Sequence, residues 1–326
     1  IAMERRRKSG KKRIWGILSM VSGVVLCGAL LVPWVMRPEN FREQKDALRV
    51  FLSQMVQEEP YTEDFYHAQA LLVVDRGRDE VFIFKKAEEP QLPASLAKLF
   101  VVEYASSVAD LGSIVSAHPE AIALTKPGSS VAGIEPREYF LHNLLAAMLV
   151  PSGNDAAYVV ADYCGGILSP QSGTAQERVH AFMVGLNAHL QGNGYQNTIL
   201  YDPSGFDADA RTTVSDLSAV VDRLLEYEWF RDIVAQSTYT AVLPDGSAQM
   251  WRNTNAFLNV SSEYYNQRVT GIKTGSLGDD YNLVVLYEQY GREFLICSLG
   301  SSSNGSRYDD VAYIIRTIEE SDYLAG

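Results

Sequence analysis

Cysteine is scarce in this 326-residue chain, which contains only Cys27, Cys164 and Cys297. No C-x-x-C, H-x-H or H-E-x-x-H pattern occurs, and the five histidines are scattered along the sequence. Zinc sites are built from closely spaced thiolate or imidazole ligands. The sequence therefore gives no support for a metal ion, and no motif calls for another cofactor. Cys164 and Cys297 could form a disulfide, but we favour two buried free thiols.

The chain also lacks the basic excess that binding to nucleic acid requires. It has 28 Lys and Arg against 40 Asp and Glu, for a formal net charge of −12. The first 13 residues alone carry a net charge of +6, so the rest of the chain carries −18. Because a phosphate backbone is bound by a basic face, we expect no nucleic-acid partner.

One long segment has no charged residue. It runs for 23 residues from Ile14 to Met36, with Trp15 and Trp34 near its ends. This length suits a helix that crosses a bilayer, and aromatic residues are common at membrane interfaces. A cleaved signal peptide is the alternative, but the apolar run is long for one and no small-x-small cleavage site follows. We favour a retained single-pass anchor in the cell membrane, with a cytoplasmic N terminus and an extracellular remainder.

Strand patterns lie at both ends of that remainder, and helical patterns lie between them. A hairpin is predicted at 70–84, helices dominate from about 95 to 235, and strands return before a closing helix at about 309–320. This order favours an α+β fold, in which helices flank one antiparallel sheet whose strands come from distant parts of the chain, with an inserted helical lobe. We divide the chain into a basic tail at 1–13, a transmembrane segment at 14–36, a helical linker at 37–62 and a catalytic domain at 63–326.

A lysine interrupts the apolar segment "PASLAKLFVV" at residues 93–102. On a helix, Ser95 and Lys98 share a face, so the amine can reach the hydroxyl. Apolar neighbours nearly all round indicate that Lys98 is buried, and burial lowers the pKa of a lysine. The pair therefore predicts a serine nucleophile with a lysine base. The S-x-x-K spacing alone is weak, since Ser9 and Lys12 repeat it in the basic tail.

Two further motifs strengthen this hypothesis. The segment "PSGNDAA" contains Ser152 and Asn154, an S-x-N pattern that can place a hydroxyl beside an amide on a loop, or simply cap a helix. The segment "VTGIKTG" ends in Lys273, Thr274 and Gly275 at the end of a predicted strand. A glycine at that point lets the backbone of a ligand approach the strand.

S-x-x-K, S-x-N and K-T-G in this order are the signature of the penicillin-recognising serine acyl enzymes, which this chain resembles. The segments "PASLAKLF", "LLAAMLVPSGNDAAYVVADY" and "GIKTGSLGDDYNLVV" are similar to low-molecular-mass D-alanyl-D-alanine carboxypeptidases of peptidase family S11. The similarity covers about residues 65–320. It implies a three-layer fold of the β-lactamase and transpeptidase type, and removal of the terminal D-alanine from peptidoglycan stem peptides, with inhibition by β-lactams.

The resemblance also implies the catalytic roles. Ser95 would be acylated by the penultimate D-alanine of the stem peptide, or by a β-lactam. Lys98 would take the serine proton, and Ser152 would pass a proton to the leaving D-alanine. The backbone N–H groups of Ser95 and Ser276 would form the oxyanion hole.

Substrate-binding roles follow from the same resemblance. Asn154 would hold the amide of the acyl donor, and Lys273 would keep the local potential positive. Thr274 would meet the terminal carboxylate, with Gly275 and Ser276 completing the binding strand. Relatives often have a bulkier residue or histidine at the position of Ser276, and some grip the carboxylate with an arginine, for which Arg307 is the nearest candidate here.

Proteins with other activities can carry the same three motifs. A serine β-lactamase of the common secreted type would carry a glutamate in an E-x-x-L-N loop, which is absent from this sequence. A DD-endopeptidase of the same fold remains an alternative. A non-catalytic membrane protein that binds stem peptides is another, although a binder would not need the whole set of catalytic residues. We expect a carboxypeptidase.

Overall fold

The computed structural model describes residues 65–321. The predicted basic tail at 1–13, the membrane segment at 14–36 and the linker at 37–62 lie outside the described residues, as does the end of the 63–326 domain. Among residues 65–321, no helix combines the length and apolar character needed to cross a membrane. Cys164 and Cys297 are both buried free thiols, as we favoured.

The centre of the fold is a five-stranded antiparallel sheet with the strand order β2-β1-β9-β8-β7. The N-terminal hairpin pairs through β1 with β9, which follows more than 200 residues later in the chain. The predicted α+β fold, with one sheet assembled from distant segments, is therefore confirmed. The strands are β1 (Ala70–Asp75), β2 (Glu80–Lys85), β7 (Val269–Leu277), β8 (Asp280–Gln289) and β9 (Arg292–Ser301).

Both faces of the sheet are covered, which explains why β8 is apolar without alternation. Successive side chains of a strand point to opposite faces. Val284 and Leu286 belong to a large core shared with most of the helices. Leu283 and Val285 belong to a second core, which they share with the C-terminal helix. The sheet is thus the middle of three layers.

Eight helices surround the sheet in the described part of the chain. The last begins at Asn304, five residues before the predicted start, because Ser303 and Ser306 form a reciprocal capping box there. The helices are α1 (Ala97–Val108), α2 (Pro119–Ile122), α3 (Leu141–Leu149), α4 (Asn154–Leu168), α5 (Ala175–Gly192), α6 (Val214–Leu224), α7 (Glu228–Val234) and α8 (Asn304–Glu320).

Two small hairpins lie within the helical region. One pairs β3 (Ile114–Ser116) with β4 (Glu138–Phe140), and the other pairs β5 (Thr238–Val242) with β6 (Ala248–Arg252). The indole N–H of Trp251 on β6 donates to the carbonyl of Ala132 at 2.8 Å. The second hairpin therefore supports the loop before β4, which forms one wall of the cleft described below.

Helices α4 and α5 pack closely at Gly165. A Cβ atom at this position would lie 1.8 Å from the carbonyl oxygen of Arg178, which is far inside contact distance. At the neighbouring Gly166 the nearest atom would be the flexible Cδ of Arg178, at 3.2 Å. The approach of the two helices therefore depends on the missing side chain of Gly165 alone.

We expect Gly165→Ala to lower the free energy of unfolding by about 1–3 kcal/mol, because overpacking forces the two helices apart. Gly166→Ala is the matched control, and it should be neutral or stabilising by up to about 1 kcal/mol, since alanine favours a helix more than glycine. Urea unfolding of both variants measures the difference. Equal stability of the two variants would contradict the packing described here.

Candidate active site

Ser95 lies in a strained turn at the start of α1. Residues Ala94–Leu96 form a single 3-10 turn that runs directly into the helix. Ala94 has a φ of +47°, which is unfavourable for a residue with a side chain. The side-chain amide of Asn282 on β8 donates to the carbonyl oxygens of Leu92 and Pro93, at 2.8 and 3.0 Å. The sheet thus holds the serine turn in place.

Lys98 is the chemical centre of the site. It is the second residue of α1 and has an exposed fraction of 0%. Its Nζ lies 2.9 Å from Ser95 Oγ, 2.7 Å from Asn154 Oδ1 and 2.8 Å from the carbonyl oxygen of Ser204. Burial lowers the pKa of Lys98 to about 7. The negative charges of Asp202 and Asp155 oppose the shift.

The three neighbours of the amine can accept from an ammonium group, and they also fit the neutral form that a base requires. A neutral amine has two N–H donors and one lone pair. The amide oxygen of Asn154 and the carbonyl oxygen of Ser204 can only accept, so they take the two N–H groups. The lone pair is then left for the hydroxyl of Ser95, which can donate its proton. The arrangement therefore orients Lys98 as a base towards Ser95.

The carbonyl of Ser204 belongs to a loop that the sequence motifs do not assign to the site. The carboxylate of Asp202 holds this loop by accepting from the backbone N–H groups of Ser204 and Asp207, each at 2.7 Å. Gly205 has a φ of +76°, and a Cβ there would lie 1.9 Å from the carbonyl oxygen of Ala94. The sequence pattern that indicates this loop is an Asx turn followed by a glycine in "DPSGFD".

Ser152 and Asn154 lie at the start of α4, of which Asn154 is the first residue. Asn154 contacts Lys98 directly, whereas within residues 65–321 no hydrogen bond joins the Ser152 hydroxyl to Lys98 or Ser95. Ser152 is buried and has a φ of +65°, so its turn is strained. Beside them, the carboxylate of Asp155 accepts the backbone N–H groups of two residues in the loop before β4, each at 2.8 Å.

The K-T-G residues lie on β7, beside the serine turn. Lys273 has an exposed fraction of 1%, and its Nζ donates to the carbonyl oxygen of Thr274 at 3.0 Å. Burial lowers the pKa of Lys273 well below its usual value, and the positive charges of Lys98 and Arg307 lower it further. Burial thus favours the neutral amine at both lysines, and the positive potential expected at this site rests on the guanidinium of Arg307, which stays charged.

Gly275 lets β7 approach the serine turn. A Cβ atom at this position would lie 3.0 Å from the carbonyl oxygen of Pro93 and 3.2 Å from the backbone nitrogen of Leu96. We expected the glycine to admit the backbone of a ligand. The described contacts show that its missing side chain also makes room for the turn that carries Ser95. The nucleophile and the K-T-G strand are thereby brought together, and the approach of a ligand backbone remains a prediction.

Arg307 lies behind the strand rather than free in the cleft. Its Nη1 donates to the carbonyl oxygens of Gly275 and Asn282, both at 3.0 Å, and to Ser276 Oγ at 3.1 Å. The rings of Tyr281 and Tyr308 lie within 6 Å of the guanidinium carbon. The guanidinium can therefore reach a ligand's carboxylate only through the hydroxyl of Ser276 and through its charge.

A cleft of about 230 Å³ opens over these groups. Its walls come from three places: the loop before β4, the loop held by Asp202, and the end of β7. The lining residues include Ser95, Ser130, Asn154, Phe206, Ser276 and Leu277. A larger open cavity of about 390 Å³ lies at the other end of β7 and β8, but it contains none of the motif residues.

Comparison with known proteins agrees with the fold and the motifs. The model of the D-alanyl-D-alanine carboxypeptidase family matches residues 55–295. A D-alanyl-D-alanine carboxypeptidase of Streptomyces sp. (strain K15) is 26% identical over 254 residues, which cover 74% of this chain and 84% of the relative. One from Escherichia coli (strain K12) is also 26% identical, and the match covers 74% of this chain and 59% of the relative.

Solved structures show the same fold. The Streptomyces K15 DD-transpeptidase superposes with a TM-score of 0.69 and 25% identity, over 78% of this chain and 98% of that chain. A penicillin-binding protein of Listeria monocytogenes, in its ampicillin-bound form, superposes with a TM-score of 0.61 and 20% identity, over 78% of this chain and 98% of that chain. Because the family model spans most of the sequence, the resemblance predicted from the motifs is confirmed: this chain belongs to the D-alanyl-D-alanine carboxypeptidase family of serine peptidases (S11).

Proposed function

We propose that Ser95 is the nucleophile of this serine D-alanyl-D-alanine carboxypeptidase, and that the substrate is a peptidoglycan stem peptide ending in D-Ala-D-Ala. The neutral amine of Lys98 takes the hydroxyl proton as Ser95 Oγ attacks the carbonyl carbon of the penultimate D-alanine. The backbone N–H groups of Ser95 and Ser276 stabilise the oxyanion. The C–N bond then breaks, Ser152 passes a proton to the leaving D-alanine, and water hydrolyses the ester.

The observation that carries this proposal is the environment of Lys98. A fully buried amine with two acceptors on its N–H groups and a serine hydroxyl at 2.9 Å is poised as a base. Burial lowers its pKa to about 7, so a large fraction of the amine is neutral at physiological pH. A merely structural lysine would gain nothing from this arrangement, because burying an amine costs free energy.

Recognition of the free carboxylate is assigned to the end of β7. The hydroxyls of Thr274 and Ser276 donate to it, and the Ser276 hydroxyl is held by the guanidinium of Arg307. The guanidinium of Arg307 supplies positive potential, and the amine of the buried Lys273 donates to the carbonyl oxygen of Thr274, which helps to hold the strand. Asn154 holds the amide of the acyl donor, and Gly275 keeps the strand close to the nucleophile.

The proposal extends to inhibitors and to location. A β-lactam carries both a reactive carbonyl and a carboxylate, so it acylates Ser95 by the same steps. Residues 14–36 anchor the protein in the cell membrane, with residues 1–13 in the cytoplasm and the catalytic domain outside. The uncharged run, the basic residues before it and the extracellular position of peptidoglycan support this orientation.

The first test measures D-alanine released by the full chain, in detergent, from a peptide ending in Lys-D-Ala-D-Ala. Wild type should release D-alanine and form a one-to-one adduct with benzylpenicillin by intact mass. Ser95→Ala should abolish both, because no nucleophile remains. Ser9→Ala, which changes the other S-x-x-K serine, is the matched control and should leave both unchanged. Activity retained by Ser95→Ala would contradict the assignment of Ser95 as the nucleophile. Rapid hydrolysis of penicillin by wild type would favour a β-lactamase.

The pH dependence of acylation tests the base. Since Lys98 must lose its proton to act, the second-order rate constant for benzylpenicillin should rise with pH through an inflection near the pKa of about 7. Asp202 raises that pKa, so Asp202→Asn should move the inflection to lower pH. The measurement is stopped-flow acylation between pH 5 and 9. A rate constant that shows no inflection near 7 within this range would contradict a base with the lowered pKa of Lys98.

The anchor is tested by fractionation of cells that produce the full chain or residues 37–326 fused to a cleavable secretion signal. We expect the full chain in the membrane fraction and its catalytic domain open to protease added outside the cell. The shorter chain should be released as a soluble protein. Release of the full chain from the membrane would instead indicate that the apolar run is a cleaved signal peptide.

A further inference from the structure

A second threonine contacts the hydroxyl of the K-T-G motif. Thr254 Oγ1 lies 2.6 Å from Thr274 Oγ1, and this is the hydrogen bond that the structure gives the Thr274 hydroxyl. Thr274 is buried, whereas Thr254 is exposed to solvent in the loop that follows β6. None of the three motifs includes Thr254, and the roles assigned above do not use it.

The backbone of Thr254 is held from both sides. Its N–H donates to the carbonyl oxygen of Val150, just after α3 and two residues before Ser152, at 3.2 Å. Its carbonyl oxygen accepts the hydroxyl of Tyr308, the residue after Arg307 on α8, at 3.3 Å. Thr254 therefore has a fixed position between the S-x-N loop, the K-T-G strand and the helix that carries Arg307.

Proton counting gives the direction of the hydrogen bond when a substrate is bound. Each threonine hydroxyl has one proton and two lone pairs, and an ionised carboxylate can only accept. If Thr274 donates its single proton to the substrate carboxylate, it can only accept from Thr254. The two hydroxyls and the carboxylate then form a chain in one direction, and each hydrogen bond of such a chain polarises the next.

We propose that Thr254 is a positioning residue for substrate recognition: its hydroxyl donates to Thr274 and so aims the Thr274 proton at the terminal carboxylate. This inference rests on the proposed function, because it requires that a carboxylate binds at Thr274. The carboxylate is then bound by two sets of groups. One is the pair of neutral threonine hydroxyls, and the other is the Ser276 hydroxyl with the cationic Arg307 behind it.

The consequence concerns binding rather than the chemical step. The carboxylate is present in the substrate and in the transition state, so a weaker hydrogen bond to it should raise KM and leave kcat nearly unchanged. A charge-assisted hydrogen bond contributes more than a neutral one, and Thr254 acts on it through one intermediate group. We therefore expect an effect of about fivefold to tenfold when its donor is removed.

The test uses the full chain in detergent and two thioester acyl donors. In one, an N-acyl-D-alanyl group is joined to thioglycolate, so the leaving group carries a carboxylate. The other is the methyl ester of the same compound. Thr254→Val should raise KM about fivefold to tenfold for the carboxylate donor and change kcat/KM for the ester less than about twofold. Thr254→Ser keeps the hydroxyl and should restore wild-type values.

A double-mutant cycle separates this inference from direct contact. In a Thr274→Val background, Thr254→Val should have no further effect on the carboxylate donor, since the residue acts only through Thr274. Thr240→Val, at an exposed threonine of β5, is the matched control and should leave all parameters unchanged. Because Thr254 is exposed, its variants should also keep the melting temperature of wild type.

Several results would overturn the inference. These are an equal loss with both donors, a loss that persists in the Thr274→Val background, and failure of Thr254→Ser to restore KM. Failure of the proposed function is seen separately, as the absence of D-alanine release from the peptide by wild type. Turnover of thioesters without peptide hydrolysis would leave the Thr254 inference intact, and no turnover of either would refute both.

Discussion

The site depends on the burial of one amine. Taking the Lys98 side chain out of water opposes its charge, and the fold supplies two acceptors that suit the neutral form, on Asn154 and Ser204. The negative charges of Asp202 and Asp155 limit the shift, so that the pKa stays at about 7 instead of falling further. A base with a pKa near physiological pH follows from the balance between burial and nearby carboxylates.

The backbone segments that surround the buried amine are strained or very closely packed. Ala94 and Ser152 adopt positive φ angles, Gly205 lets the backbone of Ala94 approach more closely than a side chain would allow, and a Cβ at Gly275 would be tightly packed. Such local costs are tolerated because a covered three-layer sheet holds the segments from several directions. Two of the five non-glycine residues with positive φ angles within residues 65–321 thus lie beside the catalytic groups.

The net charge of the whole chain and the local charge at the site have opposite signs. The chain as a whole is acidic, yet Lys98, Lys273 and Arg307 lie together at one end of the sheet. Two of them are buried lysines, and the guanidinium of the arginine contacts carbonyl oxygens and tyrosine rings. The charge of the guanidinium can attract an anionic group while hydroxyls make the contacts, which leaves specificity to geometry.

The sequence by itself determined the α+β class, the hairpins of the sheet and the three motifs, because strand periodicity and short catalytic patterns are local properties of a chain. It also predicted the burial of Lys98 from its apolar neighbours. Only the tertiary structure decided that the Ser204 carbonyl faces Lys98, that Gly275 admits the serine turn and that Arg307 stands behind β7. These contacts join backbone atoms and side chains that are far apart in sequence. A local sequence pattern therefore cannot predict which carbonyl group will face the amine in the folded chain.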